Sequence, residues 1–238
     1  MLGFKKLSDI YQSLRDNKSP QKFIKDVLEH LDIKYIVNPV HTKTDIPETG
    51  SLLIIANHPF GALDALLLLD YLSENRPDIR IMANVFLERI TPVSELILGV
   101  NPFKDKVAIK SNLKKMREIH QWLQDGHCLI TFPAGNVSQI HLKKPFIADG
   151  NWNQQIARLA RSTKTSVLPI TVKGRNSPWF YMLGPHLHAL RYGLELLNKK
   201  GKTINLYQGE IMTQETIKAI QSDVDLISWF RKKVMEKV

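Results

Sequence analysis

Asn57 and His58 open a turn, Asn57-His58-Pro59-Phe60-Gly61-Ala62-Leu63-Asp64, that puts a histidine and a carboxylate a few residues apart. A neutral imidazole accepts a proton near pH 7. A carboxylate within reach holds its tautomer and stabilises the cation that forms. Such a pair is a general base without a nucleophile of its own, so the nucleophile has to belong to a substrate. Pro59 and Gly61 set the backbone between the two residues. On this stretch alone a second reading stands beside the first: His58 as a turn residue that caps the following helix.

The flanking elements decide what such a turn can do. Residues 51–56 form a short apolar run with the branching of a buried strand, and residues 65–72 read as a buried helix. The pair therefore sits at a strand-to-helix turn, where α/β folds carry their chemistry. Two more polar turns follow apolar strands. One holds Phe132, Pro133, Gly135 and Ser138 after the strand at 128–132. The other holds Arg175 and Asn176 after the strand at 167–172. Asn101, Phe103 and Lys104 lie between the first two. Loops that leave parallel strands at one edge gather in one crevice.

The rest of the chain supplies the frame. Residues 4–16 suit an amphipathic helix, and Ser19-Pro20 starts a second that runs to about Leu31. Strands are expected at 35–37, 79–83 and 204–207. Residues 87–100, interrupted by Pro92 and Gly99, suggest short helices. Ser111 is expected to cap a long helix to about Asp125, with His120 packed or at the surface rather than a ligand. Helices are expected at 152–164 and 186–200, and two short ones at 213–238. Strands alternating with helices predict a single α/β domain with a mixed, mostly parallel sheet flanked by helices. An N-terminal helical segment, residues 1–33, packs on the core or on a membrane, and residues 34–238 form the main domain.

Composition narrows the function. At 238 residues and 43% hydrophobic, the chain can fill a sizeable core. Its one cysteine, Cys128, reads as a small core residue. No secretory signal is visible, and no stretch approaches the roughly 20 apolar residues of a spanning helix. The net charge of +10 points to an acidic partner: nucleic acid, anionic lipid or an acidic carrier protein. The lysines are spread along the chain with no helix-turn-helix or RNA-binding signature, so nucleic acid is not expected. No Gly-rich phosphate loop with lysine and no metal-ligand spacing occurs, which predicts neither nucleotide nor metal. The serine elbow Gly-x-Ser-x-Gly is missing, which argues against hydrolysis through a serine.

Taken in order, these motifs resemble the glycerolipid (lysophospholipid) acyltransferase superfamily. The likeness is greatest to its hemolysin-like branch, which includes N-acyltransferases of ornithine-lipid and glycine-lipid synthesis. Asn57, His58 and Asp64 match the first motif, with one residue more between His and Asp than is common. Phe132-Pro133-Ala134-Gly135-Asn136-Val137-Ser138 resembles the third motif and Val167-Leu168-Pro169-Ile170 the fourth. Gly174-Arg175-Asn176-Ser177 with Phe180-Tyr181 is similar to the hemolysin-like branch. Phosphate-binding members carry an acid where this chain has Ala134, and arginines where it has Gln139 and the stretch 100–104. Lys104 or Lys106 could serve there as point charges without a bidentate fork. These departures move the expected acceptor away from lysophosphatidic acid.

The resemblance implies a glycerol-phosphate-acyltransferase-like fold and acyl transfer without a bound cofactor. The donor is a thioester, acyl-acyl carrier protein or acyl-CoA. The group moved is a fatty acyl chain, 3-hydroxyacyl among the candidates. The acceptor is the amine of an amino acid; the alternative is the hydroxyl of a lysophospholipid. His58 is the base and Asp64 orients it. Backbone N–H groups around Gly61 or Gly135 are expected to hold the oxyanion. Candidate substrate-binding residues are Asn57, Phe60, Gly61, Asn101, Phe103, Lys104, Phe132, Pro133, Gly135, Ser138, Arg175 and Asn176. Arg175 and Asn176 read equally as a turn that ties two loops together. Partners are an acyl carrier protein and the anionic inner face of a bacterial inner membrane, met through residues 190–192 or 230–233.

Overall fold

The computed structural model describes residues 2–16, 19–41, 45–103, 105–140, 147–182 and 188–237. In chain order the strands are β1 (Lys34–Pro39), β2 (Leu52–Ala56), β3 (Ile79–Asn84), β4 (Ile97–Val100), β5 (Cys128–Thr131), β6 (Gln139–Ile140), β7 (Ile147–Ala148), β8 (Ser166–Lys173) and β9 (Thr203–Gln208). Seven of them form one sheet in the order β1-β9-β8-β2-β5-β3-β4, and β6 and β7 form a separate hairpin. The five strands from β8 to β4 run parallel. β9 pairs antiparallel to β8 and parallel to β1. The sheet is thus mixed and mostly parallel.

β2 is central and buried along its whole length. Its period of two sends Leu52, Ile54 and Ala56 into one apolar layer, and Leu53 and Ile55 into the other. A strand covered on both faces must be apolar at every position, which is why this run shows no alternation. The first layer is closed by helices α1 (Leu2–Leu14), α2 (Pro20–His30) and α3 (Ala62–Ser73). The second is closed by α4 (Lys106–Gln124) and α5 (Gln154–Ser162). After α6 (Pro178–Met182), α7 (His188–Asn198) joins the first layer through Leu196 and Leu197. α8 (Gln214–Ala219) and α9 (Asp223–Met235) join the second. The N-terminal segment packs on the core: Ile10 is buried, and Tyr11 meets Phe23 of α2 edge to face.

Two expectations change. The long helix begins at Lys106, not Ser111, because the Asp105 carboxylate accepts the Ala108 N–H at 2.8 Å and caps it. Residues 97–100 are a strand rather than part of a helical run, preceded by two 3₁₀ turns at Val85–Arg89 and Thr91–Leu96. Gly99 makes that edge possible, since a Cβ there would lie 2.4 Å from the Glu88 carboxylate. Cys128 is buried, and burial pushes its thiol up to about 12. Among the described residues no helix is long and apolar enough to cross a membrane.

Candidate active site

The turn after β2 is built onto the sheet by Asn57. Ala56 is the last residue of β2 in register with β8, opposite Ile170. One step further, the Asn57 amide replaces the backbone ladder: Nδ2 donates to the Val172 carbonyl at 2.9 Å, and Oδ1 accepts the Val172 N–H at 2.7 Å. Both ends of this buried amide are engaged, so Asn57 ties two strand ends together.

His58 follows immediately. Its ring stacks on Phe132 at the end of β5, with centroids 4.0 Å apart and planes 19° from parallel. Its Nδ1 lies 2.9 Å from Asp64 Oδ2, a close but bent contact. Asp64 sits in the first turn of α3, fully buried, and the same Oδ2 accepts the N–H groups of Phe60 and Gly61 at 2.9 Å each. Burial pushes the Asp64 carboxyl up, and the His58 contact and the two N–H donors oppose it by favouring the carboxylate. Gly61 takes φ 92, which lets the chain double back so that Asp64 reaches His58 despite the additional residue between them. A Cβ on Gly61 would also press on the Tyr192 ring at 3.1 Å. His58 does not cap α3; Asp64 serves the donors at that helix start. Nδ1 is turned to the carboxylate and 17% of the side chain is accessible, an arrangement in which Nε2 could accept a proton.

A second carboxylate, Asp149, supports the turn from below. It is fully buried, and its Oδ1 accepts the His58 backbone N–H at 3.2 Å and the Ser138 hydroxyl at 2.6 Å. Its Oδ2 accepts from Trp152 Nε1 at 3.2 Å, and its carbonyl from Arg231 at 2.9 Å. Ser138 also donates its own N–H to the His58 carbonyl at 2.9 Å. Ser138 therefore clamps the histidine's backbone. Sequence reading missed Asp149, because only the β6–β7 hairpin returns it to the site.

The third turn wraps Phe60. Gly174, at φ 148, faces the Phe60 ring where a Cβ would lie 2.2 Å from Cζ. Lys199, just past the end of α7, sits 4.9 Å over the same ring, pairs with the buried Glu195, and donates to the Arg175 carbonyl at 3.2 Å. Glu195 accepts the Ser177 N–H at 2.9 Å and its hydroxyl at 2.6 Å. Burial raises the Glu195 carboxyl, but Lys199 and Ser177 outweigh it and hold the group below its ordinary value. Asn176 is buried, with its N–H on the Tyr181 hydroxyl at 3.3 Å; the Arg175 side chain is exposed. The turn is tied to the C-terminal part of α7 through Ser177 and the Arg175 carbonyl, while the buried Asn176 amide meets no hydrogen-bond partner among the described residues.

Several expected residues fall elsewhere. Asn101 and Phe103 follow β4, three strands from β2, which is about 14 Å away at ~4.8 Å per strand. Asn101 is occupied locally, accepting the Phe103 N–H at 3.0 Å and holding its own backbone against Asn112. Lys104 lies outside the described residues. Phe132 and Pro133 are buried under the histidine turn, and Gly135 is exposed at φ 66. Two of the N–H groups near the expected oxyanion position are engaged within the fold. The Gly61 N–H is spent on Asp64 and the Gly135 N–H on the Phe132 carbonyl at 2.9 Å. In the two basic segments Arg191 and Phe230 are buried and Arg231 is tied to Asp149, while Lys232 is exposed. Among the described residues no group of three or more His, Cys, Asp or Glu is placed to hold a metal.

The profile of a family described as "Acyltransferase" matches residues 6–236. A lyso-glycine lipid O-acyltransferase of Phocaeicola vulgatus is 27% identical over 211 residues, covering 84% of this chain and 72% of the relative. A lyso-glycine lipid O-acyltransferase of Bacteroides thetaiotaomicron is 26% identical over 170 residues, covering 71% of this chain and 58% of the relative.

Proposed function

The chain belongs to the acyltransferase family, and from that premise we propose that it moves a fatty acyl group from a thioester onto the hydroxyl of a lyso-aminolipid. The observation that carries the mechanism is the His58–Asp64 contact, with the imidazole pinned flat on Phe132. His58 Nε2 takes the proton of the acceptor hydroxyl as its oxygen attacks the thioester carbonyl. Asp64 stabilises the imidazolium. The tetrahedral intermediate collapses, the C–S bond breaks, and the proton passes from His58 to the departing sulfur. A C–O ester bond replaces the thioester, and no covalent enzyme intermediate is needed.

The acceptor atom follows the relatives. Both are O-acyltransferases of lyso-glycine lipid, which favours oxygen over the amine suggested by the sequence. A lyso-aminolipid also fits the absence of the phosphate-directed acid and arginines at Ala134, Gln139 and residues 100–103. The donor is acyl-acyl carrier protein or acyl-CoA, and the working place is the inner face of a bacterial inner membrane, where an acceptor of this kind partitions.

The test offers purified protein one acyl thioester with lyso-glycine lipid, free glycine or lysophosphatidic acid in parallel. Mass spectrometry is expected to show a new ester on lyso-glycine lipid alone. An amide on glycine, or an ester on lysophosphatidic acid only, would overturn the acceptor assigned here.

A further inference from the structure

We propose that the carboxyl edge of the parallel sheet, the mouth at which His58 lies, is a membrane-docking rim, carried by Phe86, Phe103, Ile140, Trp179 and Met182, that seats on an anionic bilayer. The inference deepens the acyl-transfer reading, from which it takes the need to draw a lipid acceptor out of a bilayer; the rim itself is read from side-chain exposure. The parallel strands end at one edge of the sheet, and the segments after four of those ends each present large apolar side chains to solvent. Phe86 follows β3 at 47% exposure, Phe103 follows β4 at 57%, and Ile140 follows β5 at 46%. Trp179 and Met182 follow β8 at 70% and 71%. The segment after the remaining parallel strand, β2, carries His58 itself. From Phe103 the exposed apolar surface continues onto the first turns of α4 through Val107 and Ile109.

Single exposed apolar side chains, such as Ile36, Leu194 and Val224 elsewhere on the protein, are ordinary, but a set gathered along one edge marks an interaction surface. Its cations point to the partner. Arg89 lies 5.6 Å over the Phe86 ring, and Lys106, Lys110, Lys173 and Arg175 are exposed on the two flanks of the mouth. Of the nearby acids, Asp105 caps α4 and Glu88 is engaged with Lys115 and the Gly99 N–H. Bulky apolar groups interleaved with cations match the boundary between acidic headgroups and acyl chains. The rim also runs from β8 to β4, about 19 Å at ~4.8 Å per strand. A broad, deformable bilayer can meet all of it at once, whereas an acidic carrier would answer the cations and leave much of the apolar arc bare.

The experiment sediments the full chain with phosphatidylglycerol vesicles at low and physiological salt. It compares a rim pair, Phe86→Ser with Trp179→Ser, against a control pair of exposed apolar residues elsewhere, Ile36→Ser with Leu194→Ser. The rim pair is expected to lower partitioning roughly tenfold or more, the control pair to bind like wild type, and salt to weaken both. Equal binding by the rim pair, or equal loss in the control pair, overturns the proposal. Acyl transfer to detergent-dispersed acceptor is measured alongside and is expected to survive in the rim pair. Loss of that transfer with a carrier-protein donor, while vesicle binding stays intact, would assign the rim to the carrier and also overturn the proposal. If wild type shows no transfer at all, the acyl-transfer reading fails, and the vesicle result still decides the rim.

Discussion

Asp149 is the residue on which the histidine turn depends without touching a substrate. Asp149→Ala leaves the His58 N–H, the Ser138 hydroxyl and the Trp152 indole N–H without their acceptor. Each buried donor orphaned in this way costs about 1–3 kcal/mol. The variant is expected to melt earlier and, at temperatures where it is fully folded, to lose kcat with little change in KM for the thioester. Asp149→Asn keeps an acceptor oxygen and is expected to restore part of both. An unchanged kcat in folded Asp149→Ala protein would reduce the residue to a purely structural one. The difference between what sequence reading finds and misses is visible here. His58 and Asp64 share one turn, so spacing alone puts them in reach of each other. Asp149 meets His58 only through a hairpin, and no local pattern announces that return. The tie that Asn57 makes to Val172 is not legible in the sequence, because an asparagine's amide can be seen to extend a strand only when the partner strand is known.

Among the elements, α7 locks the third turn through Glu195, and this tie is pH-sensitive. Glu195 titrates below its ordinary value of 4.5, because Lys199 and Ser177 outweigh the effect of burial. A carboxyl whose folded value lies below its unfolded one stabilises the fold above the unfolded value, and loses that contribution as pH falls through the folded value. Thermal midpoints are therefore expected to fall more steeply below pH 4.5 in wild type than in Glu195→Gln, measured by circular dichroism across an acid series. Parallel slopes would show that the tie does not carry this dependence. Element positions were mostly legible, because buried strands such as β2 are apolar throughout and Ser19-Pro20 marks a helix start. The start of α4 was not: both Asp105 and Ser111 can cap, and the choice falls to the sheet edge that fixes the preceding loop. β4 was hidden by Gly99, which breaks a strand pattern in sequence but is required by the packing of Glu88.

At the scale of the whole molecule, the parallel run from β8 to β4 explains why chemistry from distant parts of the chain meets. Turns after β8, β2 and β5 lie on three adjacent strands, so Val172, His58 and Phe132 become neighbours, while the turn after β4 stays at the far edge. The sequence order of the motifs carried that arrangement. The sheet order did not follow from the sequence, so the three-strand separation of Phe103 from the histidine was not legible. The match of the acyltransferase family to nearly the whole chain fits this architecture. The central claim remains that His58 is the base of an acyl transfer, and the most direct measurement is turnover of His58→Ala with an acyl thioester and lyso-glycine lipid. The fold is held by the Asn57 and Asp149 ties, so the variant is expected to stay folded and to lose about 10²–10⁴-fold in kcat. Ester formation by folded His58→Ala protein at the wild-type rate would contradict the account.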